Sequence, residues 1–196
     1  MGPVVVLAGG QGARLGGDKP ARWLGGRPLV DWALDRARHY GGPVAISVRR
    51  TGQVAMSDGL ELLDSPDLEG PLAGLAAALA FARDLAAAHV LTLPCDMPWL
   101  PDDLAERLSA TLADTAAAVA FPAIAGESQA VCGLWRASCL DRLDAYVATG
   151  RRSLKGFGQF VGAVDVAWRD DHADRFVNIN RLEELQAAER RISGLG

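Results

Sequence analysis

The residues with the greatest chemical reach stand directly behind the first apolar run. Val4-Val5-Val6-Leu7 is followed by Ala8-Gly9-Gly10-Gln11-Gly12-Ala13-Arg14-Leu15-Gly16-Gly17-Asp18-Lys19. Glycines at 9, 10, 12, 16 and 17 let backbone N–H groups turn inward together and approach a ligand closely, which suits a chain of anionic phosphates. Arg14 and Lys19 add two cations to the same stretch, one able to fork onto phosphate oxygens and one a point charge. The spacing excludes two better-known phosphate loops. A P-loop requires Gly-Lys-Ser/Thr, whereas Gly17 is followed by Asp18-Lys19-Pro20; the dinucleotide fingerprint requires a glycine where Leu15 stands. What remains is a triphosphate cradle, set against the plainer alternative of a glycine-rich turn that carries two basic residues.

A second constellation lies in Pro94-Cys95-Asp96-Met97-Pro98, where a carboxylate is held between two prolines at the end of an apolar run. Magnesium takes few protein carboxylates and completes its shell with water and substrate phosphates, so one rigid aspartate suffices to hold it. Capping of the next helix is the structural alternative, but that helix is expected to start near Pro101. Asp64 also follows an apolar run and could read a guanine edge or meet the nucleotide, although aspartates in such loop positions are commonly solvated turn residues. Arg151, Arg152 and Lys155 form a basic cluster that could grip a phosphate and is read as a solvated helix face. His39, His89 and His172 stand apart from every motif. A terminal phosphate monoester is already anionic at neutral pH, so it needs no general base to attack a nucleotide. Positioning and charge neutralisation can then supply most of the catalysis.

These residues must be positioned by the elements between them. Val4 to Leu7 reads as a buried strand, Val44 to Val48 as a second, Leu60 to Leu63 as a short third, His89 to Leu93 as a fourth and Ala116 to Phe121 as a fifth. Helices are expected from Pro28 to Tyr40, stopped by Gly41-Gly42, from Pro71 through the alanine-rich stretch, and from Pro101 to about Leu112. Such alternation implies right-handed βαβ units and a doubly wound, mostly parallel sheet covered on both faces, a three-layer α/β/α architecture. With strand order 3-2-1-4-5, strands one and four are neighbours, and the glycine loop and Asp96 leave the same sheet edge, where such folds bind ligands. The second half is less regular: Gln129 to Trp135 reads as a strand, Cys139 to Ala148 and Ser153 to Phe160 as helices, Val164 to Trp168 as a strand and Asp170 to Asp174 as a charged loop. Asn180 with Glu183 is a helix-start signature for a terminal helix to about Arg191.

At 196 residues the chain fits one domain, with 1–100 as a nucleotide-binding half and 101–196 as an acceptor-binding half. Its net charge of −4 argues against a nucleic-acid binder, so phosphate recognition must be local. Three cysteines without C-x-x-C spacing indicate neither a disulfide framework nor a zinc site, and suit a reducing cytoplasm. The N-terminus has no charged region ahead of its short apolar run, and Arg83 and Asp84 interrupt the alanine-rich stretch, so neither a signal peptide nor a membrane span is expected.

Leu7-Ala8-Gly9-Gly10, Arg14, Gly16, Asp18-Lys19 and Gly25-Gly26-Arg27-Pro28-Leu29 together resemble the signature of the molybdenum cofactor guanylyltransferases (MobA), within the wider nucleotidyltransferases. The resemblance implies a Rossmann-like nucleotidyltransferase fold and a Mg2+-dependent transfer of GMP from GTP to molybdopterin phosphate. It assigns Leu7, Ala8, Gly9, Gly10, Lys19, Ser47, Asp64 and Asp96 to GTP, with Arg14, Lys19 and Asp96 catalytic and Asp96 the metal ligand. Ser47 stands where the family usually has asparagine, which puts that single contact in doubt. Gly9 bears on base choice, since the related cytidylyl enzymes tend to carry alanine there. Gly70-Pro71-Leu72-Ala73-Gly74 matches the segment that opens the family's next helix, and Asn178-Ile179-Asn180 matches a segment linked to the pterin, although Arg181-Leu182 replaces the usual Thr-Pro. Asn180 also reads as a helix cap. Cofactor-delivery or molybdoenzyme-maturation proteins are the further partners implied. A related transferase using CTP or a sugar phosphate, or a non-catalytic nucleotide- or cofactor-binding protein, remains the alternative.

Overall fold

The structure is a computed structural model and describes residues 2–9, 22–54 and 60–194. Strand β1 (Val4–Leu7) lies at the middle of the sheet, and its three valines are fully buried. Period-two alternation sends Val4 and Val6 to one face and Val5 to the other, so β-branched residues serve two cores at once. A hairpin of β2 (Trp23–Leu24) and β3 (Arg27–Pro28) follows, turning through Gly25 and Gly26 at φ 57° and 78°. Two successive positive φ values are what a two-residue hairpin demands, and glycine meets that demand without strain. Pro28 then stands just outside helix α1 (Leu29–His39) as its cap, one residue short of the helical position expected for it.

Strands β4 (Val44–Val48) and β5 (Leu60–Leu63), helix α2 (Pro71–Asp84), strand β6 (His89–Pro94) and helix α3 (Leu104–Asp114) complete the regular half. β7 (Val119–Ile124), β8 (Glu127–Ser128), β9 (Leu134–Arg136), α4 (Leu143–Val147), α5 (Leu154–Val161), β10 (Ala163–Trp168) and α6 (Leu182–Ile192) make the rest. Helices α1 and α3 pack on the face that holds Val4, Val6, Leu91 and Leu93, while α2, α4 and α5 pack on the face of Val5, Val90 and Val119. The result is the expected three-layer α/β/α arrangement.

The sheet order is β10-β7-β9-β6-β1-β4-β5, with β8 hydrogen-bonded to β7. The expected order 3-2-1-4 holds from β5 to β6, but the fifth predicted strand, now β7, is not next to β6. Short β9 is inserted between them and runs antiparallel to both. The physical reason is the connection. After β7 the chain turns back at Ala125-Gly126 and passes through one 3₁₀ turn at Ala130–Cys132, too little to make the crossover of about a dozen residues that a parallel neighbour needs. Gln129 to Trp135 is therefore a turn plus a short strand rather than one strand. Similarly, Cys139 to Ala148 is a 3₁₀ segment, Ala137–Arg142, followed by α4, and the charged loop is the 3₁₀ segment Asp170–Phe176. At the last helix the cap shifts by one residue. Glu184, rather than Glu183, accepts the backbone N–H groups of Asn180 and Arg181, the latter at 2.9 Å, so Arg181 and not Asn180 is the capping position.

A third, smaller core of Leu24, Leu29, Ile179 and Ala188 clasps the hairpin to α6. The Gly25 N–H donates to Glu189 Oε1 at 2.9 Å, and the Arg191 guanidinium lies 4.3 Å over the Trp99 ring. The chain's end is thereby fixed next to the element that follows its first loop. Among the described residues no helix is long and apolar enough to cross a membrane.

Candidate active site

Register decides where the site forms. Leu7 pairs with Ser47 on one side and with Pro94 on the other, and Ser47 pairs with Leu62, so four parallel strands end level with one another. Whatever follows them is delivered to a single sheet edge: Ala8 and Gly9 after β1, Asp64 after β5, Cys95 and Asp96 after β6. A cavity of about 290 Å³ opens there, with Leu7, Ala8, Gly9, Ser47, Asp64 and Asp96 in its wall. Gly10, Arg14 and Lys19, the other members of the predicted cradle, lie outside the described residues.

The start of the glycine loop is tied down on two sides. The Ala8 N–H donates to the Ser47 carbonyl at 3.0 Å, and the Gln53 side-chain amide donates to the Ala8 carbonyl at 3.2 Å. Opposite, the N-terminus of α2 faces the cavity through Gly70, Pro71 and Gly74. Gly70 adopts φ 63° and ψ −150°, a region essentially closed to residues with a side chain, and Pro71 occupies the first turn, where its missing N–H costs nothing. The helix thus begins abruptly at the wall, with the positive end of its dipole toward the cavity.

Asp96 is buried, 5% exposed, and its backbone carbonyl accepts the Ile179 N–H at 2.9 Å. That bond brings the C-terminal segment to the aspartate. Ile179 is fully buried in the clasp with α6, and its neighbours Asn178 and Asn180 line the cavity on either side of it. The two asparagines therefore line the same cavity as Ala8, Gly9 and both aspartates. Among the described residues no group of three or more His, Cys, Asp or Glu is clustered to hold a metal. A hard cation here would find few protein ligands, and the buried Asp96 suits an ion that fills its shell with water and phosphate oxygens.

Asp64 is seated by its neighbours. Its N–H donates to the Val48 carbonyl at 2.8 Å, and its Oδ1 accepts the Ser47 hydroxyl. The space it occupies exists because two glycines flank it. A Cβ on Gly9 would meet Asp64 Oδ2 at 2.0 Å, and one on Gly74 would meet Ser47 Oγ at 2.6 Å. Ser47 is itself fully buried.

The remaining titratable groups serve packing. Burial, reinforced by the nearby Asp96 charge, pushes the Cys132 thiol well above its ordinary range, and its Sγ lies 3.6 Å from Met97 Sδ. Burial raises Cys139 to about 11, against weaker opposing effects of Arg136 and Arg142. Tyr40 is likewise pushed up by burial and donates to the Pro101 carbonyl at 2.7 Å. None of the three histidines lines the cavity. Nor do Arg151, Arg152 and Lys155, which are exposed; Arg152 donates to the Val147 carbonyl at 2.8 Å and Lys155 lies 3.4 Å from Glu127. Sequence reasoning missed Gln53 and Val131. Gln53 carries no motif, and Val131 reaches the wall through a turn that reads as a strand.

A family model described as the MobA-like NTP transferase domain matches residues 4–164. A molybdenum cofactor guanylyltransferase from Cereibacter sphaeroides is 37% identical over 186 residues, covering 94% of each chain. One from Sinorhizobium fredii is 35% identical over 204 residues, covering 98% of this chain and 93% of its own. Among solved structures, molybdopterin-guanine dinucleotide biosynthesis protein A from Archaeoglobus fulgidus matches with a TM-score of 0.80 at 21% identity, covering 98% of this chain and 99% of its own. The 2-C-methyl-D-erythritol 4-phosphate cytidylyltransferase from Thermus thermophilus matches at 0.73 and 19%, covering 98% of both. At those identities the two structures speak for the fold. The family match spans every strand of the sheet edge just described, and with full-length relatives above 30% identity it leads to one conclusion: this chain belongs to the MobA-like NTP transferases, alongside the molybdenum cofactor guanylyltransferases.

Proposed function

We propose that this chain transfers GMP from GTP to the terminal phosphate of molybdopterin, yielding a guanine dinucleotide form of the cofactor and pyrophosphate. The observation that carries this reading is the meeting of Gly9, Asp64, Asp96, Asn178 and Asn180 around one cavity. Asp64 takes the guanine edge. The backbone of Leu7-Ala8-Gly9 and the positive end of α2 face the nucleotide, while Gly10, Arg14 and Lys19 are the further residues assigned to the triphosphate, the two cations offsetting its charge. Asn178 and Asn180 meet the pterin, so that residues 1–100 serve mainly the nucleotide and 101–196 the acceptor.

Asp96 would hold the divalent ion, Mg2+ in this reading. When bound, that ion supplies charge neutralisation on the phosphate oxygens. The chain's own work is alignment. An oxygen of the acceptor phosphate forms a bond to the α-phosphorus of GTP, and the bond from that phosphorus to the α–β bridging oxygen breaks, releasing pyrophosphate. The nucleophile is already anionic, so no side chain has to remove a proton. A site that positions and neutralises is enough.

Mass spectrometry of the product formed from molybdopterin, Mg2+ and an equal mixture of GTP, CTP and UTP tests the reading. A GMP adduct with equimolar pyrophosphate is expected. A CMP or UMP adduct, or GTP binding without pyrophosphate release, overturns it.

A further inference from the structure

A serine with no exposed surface, placed at the end of an interior strand, must find a hydrogen-bond partner within the protein. Ser47 finds it in Asp64 Oδ1. From the α2 side, a Cβ on Gly74 would come within 2.6 Å of Ser47 Oγ and 3.4 Å of Asp64 Oδ1. From the β1 side, a Cβ on Gly9 would lie 2.0 Å from Oδ2 and 3.0 Å from Cγ of the same aspartate. The carboxylate is therefore lodged between two glycines, with one oxygen anchored from behind. Ser47 borders the cavity with no exposed surface, and the proton its hydroxyl could offer a nucleotide is already given to Asp64 Oδ1.

We propose that Ser47 is a positioning residue that sets guanine selectivity through Asp64, without touching the nucleotide. This rests on the guanylyl-transfer reading above. The Watson–Crick edge of guanine presents two adjacent donors, N1–H and the 2-amino group, and an ionised carboxylate is acceptor-only with two oxygens at matching separation. Each oxygen has more than one acceptor direction, so Oδ1 can hold the serine proton and a base proton together. Hypoxanthine keeps N1–H and lacks the 2-amino group. Adenine and cytosine set an acceptor nitrogen beside their amino group, facing a carboxylate oxygen. Both distinctions need a fixed carboxylate plane. If the group rotates freely, one oxygen can satisfy one donor on many bases. The hydroxyl is short and stops at Asp64, which makes its role an indirect one.

The test compares GTP with ITP on the full chain with Mg2+, by calorimetric binding and by KM and kcat for pyrophosphate release with molybdopterin. The unaltered protein is expected to prefer GTP by on the order of a hundredfold, and Ser47→Ala to shrink that preference about tenfold, with the loss falling on KM. Gly74→Ala, which presses on the same hydroxyl from the opposite side, is expected to shrink it in the same direction, whether or not Ser47→Ala lowers the melting temperature. A Ser47→Ala protein that keeps the full preference, while Asp64→Asn loses it, overturns the role of Ser47 and leaves the guanylyl reading standing. An unaltered protein that binds GTP and ITP equally, with Asp64→Asn changing nothing, overturns base reading by Asp64 and with it the role of Ser47, whereas only the absence of a GMP adduct overturns the guanylyl reading.

Discussion

The two ends of the sheet are built for different tasks. From β5 through β4 and β1 to β6 every strand is parallel, so four C-terminal edges bring Gly9, Ser47, Asp64 and Asp96 to one cavity. Beyond β6, β9 lies inside the sheet and runs against both of its neighbours, and its Trp135 is surrounded by rings. Trp135 meets Phe121 edge-on at 5.2 Å and stacks on Phe157 at 5.7 Å, while Tyr146 tilts against Phe157 at 5.3 Å. Thr92 on β6 joins the two ends, accepting from Trp135 Nε1 at 3.2 Å and donating to the Val131 carbonyl at 3.0 Å. Parallel strands concentrate loops where a ligand can use them. The antiparallel insertion ends that convergence and supplies a rigid buttress instead.

The sharpest way to break this contrast is to damage each end and see which property fails. Trp135→Ala removes the centre of the ring cluster and is expected to lower the unfolding free energy by about 3–5 kcal/mol in denaturant titration, while the folded fraction keeps its specific activity. Asp96→Ala or Lys19→Ala should do the opposite, cutting turnover on the order of a hundredfold or more with the circular-dichroism spectrum unchanged. A near-normal rate in either variant removes that residue from the mechanism. Gly9→Ala is a gentler probe of the parallel end. Its methyl displaces the Asp64 carboxylate, and KM for GTP is expected to rise about tenfold; an unchanged KM would mean that Asp64 does not meet the nucleotide.

The smallest effect lies at the far end of β6. Desolvation by burial, with some help from Arg136, lowers the pKa of His89, and among the described residues its Nε2 has no hydrogen-bond partner. A depressed folded-state pKa means that the unfolded chain binds the proton more readily. The neutral imidazole's contribution is thus fully present above about pH 6.5 and is lost as the pH falls toward the folded-state value. Melting curves between pH 7.5 and 5 should show a modest decline that His89→Gln flattens, with GTP affinity unaffected because His89 is remote from the cavity.

Local physics made much of this legible in the sequence. Val4–Leu7, Val44–Val48 and Leu60–Leu63 form strands over the expected residues because β-branched and apolar runs bounded by glycine and proline leave little choice. Strand alternation with helices is enough to imply that the residue after β1 and the residue after β6 share an edge, and hence that Gly9 and Asp96 meet. Where the reading slipped, the cause was non-local. Leu134 and Trp135 carry no sign of the direction in which they pair, and it is the shortness of the chain between β7 and β9 that forces the antiparallel insertion. At α6 both Glu183 and Glu184 could close the cap; with Arg181 as the capping residue it is Glu184, three positions on, that closes it.

By itself, then, the sequence determined the chemistry on offer and the edge at which it is presented, since apolar periodicity and glycine placement act within a few residues. Tertiary structure alone decided that Ser47 turns to Asp64, that Gly9 and Gly74 leave the space for that carboxylate, and that Ile179 draws two asparagines to Asp96. Those are distances between segments far apart in the chain, set by strand register and close packing, which no local pattern of residues encodes.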